Sequence, residues 1–312
     1  MPRRALAVWL ALLVAAAAGV ALGASLDGDG EARAAPWERV ASMSQRRSYI
    51  AAAQLDGFVY TAGGMVGETG RPLALASRYD SGADRWEVLP RLPEPTRAAA
   101  GASAGGRFYV VGGTTAAGNT AAVWAFDPGT RTWAPRAPLP EPRFNHAAVA
   151  LDGRIWVLGG YHEGRERREV FVYDPAADRW EEGPPLPVPM HAFGAVAFGG
   201  ELWVLGGRRG EEVLHDVRIL DPRSGTWRAG PAMPRPMELL GATVAGDEIH
   251  ALWESTYQVY DARAGRWRQG PVPTVTRHAL QLFHVDGGIY AVGGCTTALR
   301  DSPVVEFRPV RA

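Results

Sequence analysis

Residues 133–180 read WAPRAPLPEPRFNHAAVALDGRIWVLGGYHEGRERREVFVYDPAADRW. This stretch begins and ends at a tryptophan and carries the pair Gly159-Gly160 between the two. Short apolar segments separated by Asp-Gly and Asp-Pro turns are typical of an all-β protein. The four candidate strands are Trp133 to Pro140, His146 to Leu151, Arg154 to Leu158 and Val170 to Tyr173. We therefore predict that this stretch is one unit of four short strands.

The same unit recurs six times along the chain. In each copy a tryptophan stands 26 residues before the first position of a glycine pair, or of its degenerate equivalent. The tryptophans are Trp37, Trp86, Trp133, Trp180, Trp227 and Trp267. The pairs begin at Gly63, Gly112, Gly159, Gly206 and Gly293, and Trp253-Glu254 replaces the pair in the fifth unit. The distance from the pair to the next tryptophan varies from 23 residues in the first unit to 14 in the fifth. Repeats of this length match the four-stranded blade of a β-propeller.

The motifs resemble those of the Kelch family, in which an aromatic-Asp step follows the glycine pair and a tryptophan comes about six residues later. Tyr173-Asp174 and Trp180 follow this order in unit three. The resemblance covers the chain from about Pro36 onward and implies an all-β, six-bladed β-propeller of four-stranded blades over residues 36–312. The sixth unit stops after a third strand, Val304 to Phe307. We expect the N-terminal strand Trp37 to Ala41 to complete the last blade, because this removes an open sheet edge.

The N-terminus has the pattern of a targeting segment. Arg3 and Arg4 precede an apolar run from Ala5 to Leu22, which predicts a signal peptide over residues 1–23, or an N-terminal anchor. Residues 24–35 are polar and rich in glycine and are expected to be a flexible leader. We therefore expect an exported protein, periplasmic or extracellular, with no membrane contact beyond a possible uncleaved anchor.

Composition excludes several classes of function. The chain has 33 basic and 33 acidic residues and so lacks the basic excess of a nucleic-acid-binding protein. It contains no lysine, which excludes Schiff-base chemistry and a P-loop. Its one cysteine, Cys295, permits no internal disulfide, and a lone buried thiol is commonly a small apolar filler. We expect no cofactor and no metal, and a monomer whose protein or glycan partner the sequence does not identify.

Two families of loops are expected to meet at the mouth of the propeller channel, where propellers usually bind their ligands. One family precedes the innermost strand of each blade, and the other follows the glycine pair. Together they provide a predicted ligand-binding set of Arg47, Arg97, Asn145, Tyr161, His191, Arg208, Glu238 and His278. The alternative is that these are ordinary surface residues at strand starts, since a shift of one residue turns a side chain to the other face of its sheet.

Three functions are compatible with these observations. The first is a secreted binding module that holds a protein, peptide or glycan on its loop face, because the repeat motifs are structural and carry no reaction signature. The second is a sugar-acid mutarotase or epimerase, since export and ring size resemble those of periplasmic Kelch proteins that interconvert anomers of N-acetylneuraminate. Its predicted roles are Glu238 and His278 as acid and base, His191 assisting, and Arg97 and Arg47 as an anion clamp. The third is an intracellular adaptor, which the export signal disfavours.

Overall fold

The protein is described by a computed structural model that covers residues 36–67, 69–296 and 300–310. The predicted signal segment and leader, residues 1–35, lie outside these described residues. Within the described ranges the regular secondary structure consists of strands, and no helix in them is long and apolar enough to cross a membrane.

The strands form six four-stranded antiparallel sheets, which are the blades of a propeller. From the innermost strand outward, blade 1 contains Ala51–Leu55, Phe58–Ala62, Ala76–Asp80 and Arg85–Leu89. Blade 2 contains Ala100–Ala104, Arg107–Val111, Val123–Asp127 and Thr132–Arg136. Blade 3 contains Ala147–Leu151, Arg154–Leu158, Val170–Asp174 and Arg179–Gly183. Blade 4 contains Gly194–Phe198, Glu201–Leu205, Val217–Asp221 and Thr226–Ala229. Blade 5 contains Gly241–Ala245, Glu248–Trp253, Thr256–Asp261 and Arg266–Gln269. Blade 6 contains Gln281–Val285, Gly288–Val292, Val305–Pro309 and Glu38–Val40.

The predicted fold, including its closure, is confirmed. The strand Glu38–Val40 pairs antiparallel with Val305–Pro309, so the N-terminal end of the ring completes blade 6. The predicted strands of unit three agree with the observed ones to within a few residues, but the first of them, Thr132–Arg136, is the outer strand of blade 2. Apolar clusters fill the space between adjacent blades, as where Tyr60 of blade 1 packs on Phe108 and Phe126 of blade 2. Burial between blades is what holds the six sheets together.

The repeated tryptophans link the blades at their outer edges. Each indole Nε1 donates a hydrogen bond to a backbone carbonyl at the outer edge of the neighbouring blade, as in Trp180 to Ala137 at 2.8 Å. The other five bonds run from Trp86 to Ala41, Trp133 to Pro90, Trp227 to Pro184, Trp267 to Pro231 and Trp37 to Pro271. The bond from Trp37 to Pro271 joins blade 6 to blade 5, and the bond from Trp86 to Ala41 joins blade 1 to blade 6. The regular spacing of the tryptophans therefore reflects a contact between neighbouring blades as well as a contact within each blade.

A second circle of hydrogen bonds surrounds the propeller axis. One residue just before each innermost strand has a positive φ between 47° and 58°, although none of the six is glycine. The backbone N–H of each donates to the carbonyl of its equivalent in the preceding blade at 2.6 to 3.4 Å. We call this set the axial ring: Tyr49, Ala98, Asn145, Ala192, Leu239 and Ala279. Because the bonds close on themselves, the ring fixes the geometry of the channel mouth.

The segment of variable length after the glycine pair has a clear structural meaning. In blades 1 to 4 it folds into a small two-stranded hairpin on the loop face. The hairpins are Met65–Val66 with Arg71–Pro72, Thr114–Thr115 with Gly118–Asn119, Tyr161–His162 with Arg165–Glu166, and Arg208–Arg209 with Glu212–Val213. In blade 5 the hairpin is absent, and Glu254, at φ 50°, lies in a tight turn between strands Glu248–Trp253 and Thr256–Asp261. The short spacing of unit five reflects this loss.

Candidate functional site

The two predicted loop families meet at the channel mouth. In five of the six blades, the residue before the axial-ring position forms a backbone bridge with the residue that follows the glycine pair of the same blade. These bridges join Ser48 to Met65, Arg97 to Thr114, Phe144 to Tyr161, His191 to Arg208 and His278 to Cys295. Side chains directly opposite each other in an antiparallel pair point to the same side. Five of the predicted site residues, Arg97, Tyr161, His191, Arg208 and His278, therefore belong to one collar around the mouth.

Arg47 lies elsewhere. Its side chain is only 2% exposed and turns into blade 1, because it stands one residue before Ser48 on an extended segment where faces alternate. Its Nη2 donates to Thr61 Oγ1 and Ser77 Oγ, both at 2.7 Å, and its Nη1 donates to backbone carbonyls. With its donors engaged inside the blade, Arg47 has a structural role, and we leave it out of the site.

Two charged pairs connect the collar across blades 3 to 5. Arg208 and Glu238 form a two-point ion pair, with Nε to Oε2 at 2.5 Å and Nη2 to Oε1 at 2.7 Å. Hydrogen bonding to Glu238 raises the pKa of Arg208 above its ordinary value. His191 Nδ1 lies 3.5 Å from Glu166 Oε1. Burial lowers the pKa of His191 despite the nearby carboxylates, so its imidazole is neutral at neutral pH.

An aromatic shelf borders these pairs. The rings of Phe144 and Tyr161 meet edge to face at 5.6 Å, and Tyr161 lies 5.1 Å from the His191 ring. All three side chains are partly exposed. Such a shelf presents an apolar surface to a sugar ring or a peptide side chain.

His278 lies between two partners that the sequence did not connect with it. Its Nε2 is 3.1 Å from Cys295 Sγ, and its Nδ1 is 3.7 Å from Glu254 Oε1. Burial lowers the pKa of His278, but the bonds to Cys295 and Glu254 outweigh it and raise the pKa to about 9. Glu254 was not predicted as a site residue, although its replacement of a glycine marked its position as unusual. The structure thus pairs Glu238 with Arg208, and His278 with Cys295 and Glu254.

Arg97 differs from the other cations of the collar. It is half-buried and has no carboxylate partner among the described residues; its Nη1 contacts Met65 Sδ at 3.5 Å. Burial lowers the pKa of Arg97, partly offset by Tyr49. Tyr49, an axial-ring residue, has its own pKa raised by burial and by the charges of Cys295 and Glu238. A bulky residue at positive φ is uncommon, and Tyr49 adopts φ 53°.

An axial cavity of about 80 Å³ lies along the channel. Most of its lining residues have apolar side chains, and Tyr49, Asn145, His146 and Gln281 contribute polar ones. His146 is 8% exposed, and its ring approaches the backbone of Val111, but neither ring nitrogen has a partner with hydrogen-bond geometry. The volume is enough for a few water molecules, which could pair with these groups. No cluster of three or more His, Cys, Asp or Glu side chains suited to a metal ion occurs in the described part of the chain.

Comparison with known proteins agrees with this architecture. A family model described as the KLHDC2/KLHL20/DRC7 Kelch-repeats domain matches residues 49–252. An F-box/kelch-repeat protein of Arabidopsis thaliana is 41% identical over 75 residues, which are 24% of this chain and 20% of that protein. The match thus spans about a fifth of that relative's length. The solved structure of YjhT is similar with a TM-score of 0.77 at 15% identity, over 87% of this chain and 97% of that one. At this identity the likeness concerns the fold alone.

Proposed function

The chain belongs to the Kelch-repeat family, and from that premise we propose that it is a binding module that holds an acidic peptide or glycan at its channel mouth. The observation that carries this proposal is the charge of Arg97. Burying a cation is costly unless an anion compensates it, and Arg97 has no such anion among the described residues. A ligand carboxylate would supply it and could accept two parallel hydrogen bonds from the guanidinium.

The rest of the collar supports this assignment. The cations Arg208 and His278 already have the carboxylates of Glu238 and Glu254 beside them. They therefore compete weakly for a ligand anion and leave Arg97 as the principal attraction. The shelf of Phe144 and Tyr161 provides apolar contact for the uncharged part of the ligand. The guanidinium of Arg97 and the apolar shelf together suit a sugar acid or a peptide with a free carboxylate.

The test is a titration calorimetry series on the full chain. The probes are glucuronate and N-acetylneuraminate with glucose as the neutral counterpart, and a short peptide acid with its amide. We expect binding of acids only, weakened about 10-fold or more by Arg97→Gln, since a hydrogen bond to a charged group contributes about 1.5–3 kcal/mol. The matched control is Arg91→Gln, because Arg91 is exposed in the segment leading to the same strand and lies outside the collar. Equal binding of neutral probes, or an unchanged Arg97→Gln variant, would contradict the proposal.

One observation favours anomer exchange of a sugar acid as a second candidate. His191 is neutral at neutral pH, lies beside Glu166, and opens onto the mouth near Glu238, so a proton acceptor and carboxylates stand together. Mutarotation needs one group to take a proton and another to give one. The measurement is the rate of anomer exchange of N-acetylneuraminate by NMR. Acceleration by the wild type that is lost in both His191→Asn and Glu238→Gln would support this role. A wild-type rate equal to the spontaneous rate would contradict it and leave binding as the proposed function.

Export is part of the same proposal. Its basis is the apolar run from Ala5 to Leu22 behind Arg3 and Arg4. Fractionation of cells that express the full chain tests it, with Arg3 and Arg4 replaced by glutamate as the control. Recovery of the protein in the cytoplasm would refute it.

A further inference from the structure

Cys295, His278 and Glu254 form a row of interacting side chains at the seam of blades 5 and 6, with a hydrogen bond from thiol to imidazole and an ion-pair contact from imidazole to carboxylate. Cys295 Sγ is 3.1 Å from His278 Nε2, and Glu254 Oε1 is 3.7 Å from His278 Nδ1. Both ring nitrogens are thus engaged, one by the thiol and one by the carboxylate. A nucleophile next to a base, with a third group that orients the base, is the arrangement by which proteins activate a weak nucleophile.

The backbone holds this geometry firmly. His278 and Cys295 exchange two hydrogen bonds, from His278 N to Cys295 O at 3.0 Å and from Cys295 N to His278 O at 2.9 Å. Glu254 N donates at 2.9 Å to the carbonyl of Arg277, the residue next to His278. The side chains of the thiol and imidazole therefore face each other across a paired segment, and the carboxylate approaches from the neighbouring blade.

The charges around the thiol come from several elements. His278 belongs to blade 6 and Glu254 to blade 5. Asp301 lies in the connection between the second and third strands of blade 6, where its backbone forms a bridge with that of Cys295. Asp301 itself accepts hydrogen bonds from Ser48 Oγ at 2.6 Å and from Gly67 N, so its charge is partly compensated. Tyr49 lies near enough for Cys295, Asp301, Glu238 and Arg97 to act on its pKa. The imidazole of His278 is the cation in direct contact with the sulfur.

We propose that Cys295 is a nucleophilic thiol, activated by His278 and Glu254, and a site of modification by small electrophiles, of which peroxides are the natural class. In the reactive form the proton lies on His278 Nε2 and the sulfur is a thiolate. The thiolate attacks one oxygen of hydrogen peroxide and the O–O bond breaks. The departing hydroxide takes the proton from Nε2 and leaves as water. The sulfur loses two electrons to the peroxide and becomes a sulfenic acid.

Burial restricts which reagents can reach the sulfur. Cys295 is 1% exposed and His278 is 7% exposed, whereas Glu254 reaches solvent at the rim. We therefore expect small reagents such as peroxide or iodoacetamide to reach the sulfur and a bulky aromatic disulfide to be excluded. This site is separate from the anion-binding role of Arg97 and does not depend on that proposal.

The experiment measures the rate of alkylation of the folded full chain by iodoacetamide between pH 5.5 and 9, using intact mass. Because Cys295 is the one cysteine in the sequence, each added mass reports on it. An ordinary thiol, with a pKa of about 8.5, slows roughly 150-fold between pH 8.5 and pH 6. We expect the wild-type rate to fall less than 10-fold over that range. We expect His278→Asn to restore the ordinary profile and Glu254→Gln to lie between the two.

Two further measurements make the result decisive. Hydrogen peroxide followed by dimedone should label the wild type and not Cys295→Ser, and the bulky reagent dithiobis(nitrobenzoate) should react only after unfolding. Circular dichroism verifies that each variant is folded. If a variant does not fold, the pH profile of the wild-type alkylation rate still tests the proposal. An ordinary wild-type profile, a profile unchanged in folded His278→Asn, or a folded thiol inert to both small reagents would overturn it.

Discussion

Replacing Arg277 by methionine should lower the free energy of unfolding by about 3–5 kcal/mol, since it removes one member of a buried ion pair. Arg277 Nη2 lies 3.0 Å from Glu306 Oε2, and both side chains are 0% exposed. Arg277 also donates to the carbonyls of Val304 at 2.6 Å and Ala291 at 3.1 Å. Burial lowers its pKa to about 10, so it is charged at neutral pH. In the variant, the hydrogen bonds that remain to Glu306 from the described residues are the two from Thr274.

Blade 5 provides the matched control for this substitution. Met237 and Gln258 occupy the positions equivalent to Arg277 and Glu306, and Gln258 Nε2 lies 2.8 Å from Met237 Sδ. The double variant Arg277→Met with Glu306→Gln therefore reproduces a neutral pair that the protein already uses. We expect it to recover most of the loss and to be within about 2 kcal/mol of the wild type.

The assay is urea unfolding at pH 7 followed by tryptophan fluorescence, with wild type, both single variants and the double variant. A single Arg277→Met variant that loses less than about 1 kcal/mol would show that the pair contributes little. A double variant no more stable than Arg277→Met would show that the uncompensated charge of Glu306 is not the cause.

Two other predictions concern stability. Burial lowers the folded pKa of His146 to about 3, so below pH 6.5 the unfolded state binds the proton first. The contribution of His146 to stability, present in full above pH 6.5, should then fall by about 1.4 kcal/mol per pH unit as the pH drops toward 3. The variant His146→Leu introduces the residue that blade 6 carries at the equivalent position, Leu280. It should reduce the pH dependence of the free energy of unfolding between pH 6.5 and 4, measured by urea unfolding. An unchanged pH dependence would contradict the assignment. Trp180→Phe removes the 2.8 Å hydrogen bond to the carbonyl of Ala137 and should cost about 0.5–1.5 kcal/mol beyond lost packing, measured by thermal unfolding. A melting temperature equal to that of the wild type would contradict this.

Much of the fold could be predicted from the sequence because its determinants are local and repeated. The segment from Trp133 to Gly159 contains a strand, a connection and two further strands, and its length is the same in every unit. The missing tryptophan strand after Phe307 indicated that Trp37 must return to close the ring. The signal segment and leader are predictions that lie outside the described residues.

The candidate site was predicted only as a position. The repeat indexed one residue per blade at the mouth, and the bridges from Arg97 to Thr114 and from His191 to Arg208 place these side chains there. Sequence spacing could not separate Arg47, which turns inward, from Ser48 beside it, because one residue on an extended segment reverses the side chain's direction. It also gave no reason to prefer Arg97 over Arg208 as the cation available to a ligand.

The sequence by itself determined the number of blades, the order of their strands and the end at which the ring closes, since these follow from turns, glycines and tryptophans repeated along the chain. Only the tertiary structure decided which side chains meet across the seams between blades. Glu254 reaches His278 from the neighbouring blade, and Ser48 meets Asp301 from the opposite end of the chain. Whether a charge at the mouth is satisfied or free depends on such distant partners, and spacing within one repeat carries no information about them.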